Sequence, residues 1–174
     1  MRFLQAHPHA LELAYAATHQ LLAPFRRWLK PGGWVERLFV HGEQISKGAV
    51  FDCRMCGQCV LHSTGMTCPM TCPKNLRNGP CGGVRANGHC EVIPEMKCVW
   101  VQAFERSQHM SVYGNDMKNI VPPLNRRLEG TSAWINDFTG VAQKPPAGWS
   151  VWLASKQRSQ VVGARRTRDS CSYE

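Results

Sequence analysis

The chain has 174 residues, 43% of them hydrophobic and 19% charged, with 21 Lys and Arg against 12 Asp and Glu. That length allows one domain with a core of its own, or a small domain with long arms. No apolar run approaches the ~18 residues that span a bilayer, which excludes a membrane-spanning helix, and 15 Gly with 11 Pro predict much irregular backbone.

Residues 1–50 read as an N-terminal helical segment. Ala14-Tyr15-Ala16 superficially matches a signal-peptide cleavage site, but His7, Pro8, His9 and Glu12 interrupt the apolar run before it. A secretory signal is therefore rejected and a reducing cytoplasm is the expected location. Pro8 suits a first helical turn. Leu11, Tyr15 and Leu22 recur at helical spacing, with Leu13, Ala14, Ala17 and Leu21 widening the apolar face. Pro24 ends or kinks that helix, Phe25, Trp28 and Leu29 form a short turn, and Pro31-Gly32-Gly33 stops it. Trp34, Leu38, Phe39 and Val40 lead through a second short helix into a cysteine-rich stretch.

Residues 51–110 form the predicted cysteine-rich metal domain. Gly57, Gly65, Gly79, Gly82, Gly83 and Gly88 alternate with Pro69, Pro73, Pro80 and Pro94, and periodicity is lost. Such a stretch buries too little to order itself unaided, and bound metal is the natural source of order. From Cys98 to Met110 a helix is predicted, with Val99, Ala103 and Phe104 on one face. Residues 111–155 read as a helical and extended arm, broken at Pro122-Pro123. Within it Thr131 or Ser132 caps a short helix through Trp134, Ile135 and Phe138. Lys144-Pro145-Pro146-Ala147-Gly148 is a linker, followed by Trp149, Val151, Trp152 and Leu153. Residues 156–174 are a basic, flexible tail. The fold class expected is a small irregular α-plus-loop metal-binding fold: N-terminal helices, a cysteine-rich iron–sulfur core, short C-terminal helices and an extended tail.

Of nine cysteines, eight lie between Cys53 and Cys98, and Cys171 stands alone. In a reducing compartment such clustering points to metal ligation over disulfides. Cys53, Cys56 and Cys59 form a Cys-x2-Cys-x2-Cys run, which wraps three corners of a cubane cluster and leaves the fourth to a distant Cys-Pro. Both Cys68-Pro69 and Cys72-Pro73 supply that signature. Whichever of Cys68 and Cys72 remains joins Cys81, Cys90 and Cys98 as a second set of four. Two [4Fe–4S] clusters are the first expectation. One cluster plus one zinc is the alternative: a third closely spaced Cys has no job in a simple zinc knuckle, but the wide spacing of Cys81, Cys90 and Cys98 allows a structural zinc in the back half. Each cluster with four thiolates carries about −2, which brings the formal +9 to roughly +5. Arg54, Lys74, Arg77, Arg85 and Lys97 lie among the cysteines and are available to offset that charge.

The stretches CRMCGQCVLHSTGMTCPMTCPKNLRNGPCGG (residues 53–83) and GHCEVIPEMKCVWVQAFERS (88–107) resemble the C-terminal domain or small iron–sulfur subunit associated with methylenetetrahydrofolate reductase. The likeness includes non-ligand residues: Thr64-Gly65, Leu76 to Pro80 and Trp100. It implies an electron-transfer subunit of a reductase in one-carbon metabolism. The partner it implies is a flavoprotein, a (β/α)8 barrel holding FMN or FAD and the folate. The chain has no G-x-G-x-x-G and no complete active site of its own, so hydride chemistry falls to that partner. Ferredoxin, another flavoprotein or a nicotinamide oxidoreductase is the expected electron donor or acceptor.

His62 and His89 are spare ligands at most, with eight cysteines at hand. Asp52 and Glu91 flank ligands and suit bonds to backbone or partner. Arg77-Asn78-Gly79 either braces the cluster loop, with the guanidinium on backbone carbonyls, or faces the partner's flavin; bracing is the favoured reading. Met55, Met66 and Met70 read as apolar shielding, and Trp100, Trp134, Trp149 and Trp152 as core or interface. A purely structural accessory subunit and a zinc-type nucleic-acid-binding protein are the rival functions. The second is motivated by a pI near 9.3 but opposed by dispersed basic residues and the lack of a recognition helix.

Overall fold

Pro8 has no N–H to leave unpaired in a first helical turn, and a helix of 15 residues starts there in the computed structural model. That model describes residues 2–79 and 81–146. Met1–Lys144 form one unit and Pro145–Glu174 a second. Trp149, Val151, Trp152, Leu153, the basic tail and Cys171 lie outside the described residues.

Five α-helices carry the first unit: α1 (Arg2–Gln5), α2 (Pro8–Leu22), α3 (Trp34–Phe51), α4 (Val99–Ser107) and α5 (Ala133–Phe138). Short 3-10 turns fill the connections, and no strand occurs among the described residues. Two isolated antiparallel bridges, Val84 with Cys90 and His89 with Lys97, fold residues 84–97 back on themselves. Among the described residues no helix is long and apolar enough to cross a membrane.

The proline and cap signals act as the sequence predicts. Pro24 stands at the start of the 3-10 turn Ala23–Arg27 that closes α2. Gly33, in an extended conformation, is the N-cap of α3. Ser132, not Thr131, caps α5 by accepting from the Ile135 N–H.

Helix α3 departs from expectation. It runs 18 residues where a short helix was predicted. Its pattern is inverted: Glu43 and Lys47 are buried, while Trp34, Leu38 and Ile45 are exposed. Gly42 and Gly48 inside it, each worth about 1 kcal/mol against a helix, further hid it from periodicity. Helix α2 buries less apolar surface than predicted, because Leu13 and Leu21 are exposed, while Leu11 and Tyr15 pack against the core. In α4, Val99 and Ala103 are buried as expected, but Phe104 faces out and Trp100 and Ser107 complete the buried side.

A hydrophobic core cluster lies mostly inside the glycine- and proline-rich stretch. Leu61, Met66, Cys68, Met70 and Met110 form it, and Leu11, Tyr15, Phe51, Tyr113 and Leu124 pack around them. The order of this stretch thus draws on α2, the end of α3 and the 110–124 segment, which the local composition does not reveal.

One buried carboxylate ties α2 to that segment. Glu12 is fully buried and accepts from the backbone N–H groups of Ser111 (2.8 Å) and Tyr113 (3.1 Å) and from Val112 (3.2 Å). His9 Nδ1 lies 2.7 Å away. Burial alone raises the Glu12 pKa, but the bonds from His9, Tyr113, Ser111 and Val112 outweigh it and hold the carboxyl below its ordinary 4.5. A depressed carboxylate contributes stability above its unfolded pKa, and that contribution is lost as pH falls through the folded value. Glu12→Gln is therefore expected to lower unfolding stability at neutral pH by about 2–4 kcal/mol. It should also flatten the acid limb of the stability curve, both read from denaturant melts across pH.

Candidate metal centre

The loop from Cys53 to Cys59 curls because two of its residues adopt the left-handed region, Met55 at φ 47° and Gly57 at φ 71°. Gly57 admits no substitute. A Cβ there would stand 2.0 Å from the Leu128 carbonyl oxygen. Segments from the C-terminal arm strap the loop in place. Gly130 N–H donates to Met55 O at 2.8 Å, and Asn136 Nδ2 donates to Gly57 O at 2.8 Å. Fully buried Gln58 donates to Ala142 O at 2.8 Å and accepts from Asn125 N–H at 2.7 Å.

Cys53, Cys56, Cys59 and Cys68 border one small cavity of about 20 Å³. Cys72 is not part of that wall; the 3-10 turn Pro69–Thr71 separates it from Cys68. Met55, Met70 and Phe51 supply apolar wall, and Met66 lies behind it in the core.

Two buried cations face the sulfurs. Lys47, from α3, bonds Glu43 at 2.7 Å and lies 5.0 Å from the centre of the Trp134 ring. Burial works against its charge, but Cys59, Glu43 and Cys53 more than offset this and raise its pKa. Glu43 in turn accepts from Ser132 Oγ (2.5 Å) and from the Ala133 and Trp134 N–H groups (3.2 Å each), sitting at the N-terminus of α5. Arg77 donates to Gln58 O and Pro122 O, both at 2.9 Å. Burial lowers its pKa, while Cys56 and Cys59 push the other way. Arg77 therefore braces the loop from backbone carbonyls, the structural role favoured for it, and Asn78 pairs with Val121 beside it.

Burial raises the pKa of the Cys53 and Cys59 thiols and pushes Cys68 up to about 12, and neighbouring thiols add to each shift. Without metal these groups hold their protons. A cation among them reverses this, since a coordinating thiol is deprotonated outright. Four soft sulfur donors suit thiophilic metals. All eight cysteines of the described residues are free thiols. Among the described residues no three His, Cys, Asp or Glu side chains converge to hold a single metal ion.

The other four cysteines are held differently. Cys72, Cys90 and Cys98 are buried, and Cys81 is half-buried. Cys98 packs with Trp100 and Ala103, and Cys90 and Cys98 are fixed by backbone bonds to Met96 O and Gly88 O. Lys74 joins the segments: its Nζ lies 3.7 Å from Cys81 Sγ and pairs with Glu91, next to Cys90.

The remaining candidates take supporting roles. His62 stacks on Tyr15 with ring centres 5.4 Å apart, and burial lowers its pKa. His89 Nδ1 bonds Pro94 O at 2.7 Å. Asp52 ends α3 in a left-handed conformation. Trp100 packs its ring on Gly79, where a Cβ would approach to 2.1 Å, and Trp134 stacks on Tyr15 at 5.0 Å. Lys47, Glu43, Gln58 and Asn136 were not foreseen. A Glu and Lys four apart on a helix read as a solvated pair, and nothing local marks these as buried.

A protein-family model described as Methylene-tetrahydrofolate reductase C terminal matches residues 33–127, which hold α3, all eight clustered cysteines and Arg77. No curated protein and no solved structure matches the chain.

Gly57→Ala should destabilise the protein by about 3 kcal/mol or more, since both the strap and the left-handed turn oppose it. Gly82→Ala, where a Cβ meets open space, should stay within about 0.5 kcal/mol of wild type. Paired thermal melts check both.

Proposed function

We propose, on the premise that the chain belongs to the methylene-tetrahydrofolate reductase C-terminal family, that it is an iron–sulfur electron-transfer subunit of such a reductase, relaying electrons to or from the flavin of a flavoprotein partner. The observation that carries this reading is the cavity bordered by Cys53, Cys56, Cys59 and Cys68, with two buried cations facing it. When bound, an iron–sulfur group supplies one-electron chemistry at a potential set by charge, hydrogen bonds and solvent exposure.

Each residue then has a task. Cys53, Cys56 and Cys59 present three thiolates from one loop, and Cys68 presents the fourth across the cavity. Lys47 and Arg77 offset negative charge that burial would otherwise oppose. Met55, Met70 and Phe51 keep water out. A single zinc ion would need its four sulfurs to meet at ~2.3 Å from one point, and among the described residues no three His, Cys, Asp or Glu side chains converge on one. Cys72, Cys81, Cys90 and Cys98 are assigned to a second group, a [4Fe–4S] cluster or a zinc ion. Lys74 stands beside Cys81 to moderate its charge. The flavin, FMN or FAD, and the folate belong to the barrel-shaped partner, and ferredoxin is one suitable source or sink of electrons. A purely structural role is the second reading, favoured by the place of Cys68 inside the apolar core.

Protein prepared without oxygen should carry about eight irons and eight sulfides per chain, or about four of each plus one zinc. Cys68→Ala should remove the iron of the first site and leave the second, and Cys72→Ala the reverse; loss of the same metal in both would break the assignment. Lys47→Met should weaken metal retention at the first site by about 10- to 100-fold, as supporting residues around metal sites commonly do. In complex with the flavoprotein, Cys56→Ala should slow flavin reduction. An unchanged rate with the first site's visible absorption gone would leave only the structural reading.

A further inference from the structure

Helix α3 turns Glu43 and Lys47 inward and leaves Trp34, Leu38 and Ile45 exposed. Trp34, Leu38, His41 and Ile45 follow at intervals of four, three and four residues, which is one helix face, and all four are exposed. Just before α3, Phe25 and Trp28 are also exposed. Trp28 and Trp34 stand 81% and 75% open to solvent, which is unusual for the largest apolar side chain. Four cations, Arg26, Arg27, Lys30 and Arg37, share this stretch, and all are exposed. None of them pairs with a carboxylate among the described residues. The acids nearby are committed elsewhere: Glu43 is buried against the N-terminus of α5, and Glu36 accepts from Gly32 N–H at 2.5 Å.

We infer that this face, from Phe25 to Ile45, is where the flavin-bearing reductase subunit docks, through an apolar depression rimmed by carboxylates. The inference rests on the subunit reading above and adds the place and chemistry of contact. Exposed Trp with Arg around it is the composition of an interface whose few aromatic anchors carry most of the affinity. Unpaired cations at the rim select an acidic surface and speed its approach. A second copy of the chain fits poorly, because a two-fold contact would set this cationic patch against the same cationic patch. The opposite side of the same helix presents Glu43 and Lys47 to the cysteine cavity. A partner seated on the outer face is thus about one helix diameter, roughly 10 Å, from the first cysteine site.

The test uses the intact chain and the flavin-bearing reductase subunit from the same source, with affinity measured by calorimetry. Trp28→Ala with Trp34→Ala, and separately Arg26→Glu with Arg27→Glu, should each weaken binding at least about tenfold. Ile120→Ala, exposed on another segment, should not change it. Wild-type binding should weaken with added salt. Hydrogen exchange in the wild-type complex should show new protection over residues 34–45, which holds even if a variant folds poorly. Binding by the wild type with no change in the variants and no protection of α3 overturns the docking face and leaves the subunit reading standing. Failure of the wild type to bind overturns both. Wild-type dimers that both double variants dissolve would make the face a self-interface and overturn the proposal. Capture on phosphatidylglycerol vesicles, lost in both variants while reductase binding persists, overturns it in favour of lipid.

Discussion

Charge burial is the constraint on which this structure turns. Lys47 and Arg77 are both buried against four sulfurs, and Glu43 is buried with Lys47. Taking such groups out of water costs several kcal/mol each unless opposite charge and hydrogen bonds meet them. Backbone carbonyls meet Arg77, and Glu43 meets Lys47, yet both cations still face the sulfurs. The same contacts place the surrounding elements. Lys47 and Glu43 set α3 against α5, and Arg77 draws the Pro122 segment onto the cysteine loop.

From that constraint follows the unusual polarity of α3. A helix that must present Glu43 and Lys47 inward has little apolar surface left for the core, and its Trp34, Leu38 and Ile45 stripe faces out. One helix thus connects the electrostatics of the cysteine cavity with an exposed face suited to a partner. This joins the two halves of the functional reading through a single element.

Much of the candidate site was legible in the sequence because cysteine spacing is a local signal. The Cys53 to Cys59 run and the two Cys-Pro pairs marked the loop. Ser132 at the start of α5 and the stops at Pro24 and Gly33 followed from cap and proline chemistry. What separated Cys68 from Cys72 was the Pro69–Thr71 turn, a three-dimensional fact with no counterpart in spacing. The length of α3 was missed because periodicity assumes apolar residues point inward, and here they do not. The core itself was underestimated because Leu61, Met66 and Met70 are covered by Tyr15, Tyr113 and Leu124 from distant parts of the chain. Glu12 and Gln58, polar and yet fully buried, obey no local pattern; only their backbone partners some 70 to 100 positions away explain them.

The most direct test is a reductive titration of the intact, anaerobically prepared protein, followed by electron paramagnetic resonance and Mössbauer spectra. An iron–sulfur site at the Cys53, Cys56, Cys59 and Cys68 cavity predicts a reversible one-electron step with the spectrum of a thiolate-bound cluster. A folded protein that stays colourless, holds no iron and shows no reducible signal would contradict it.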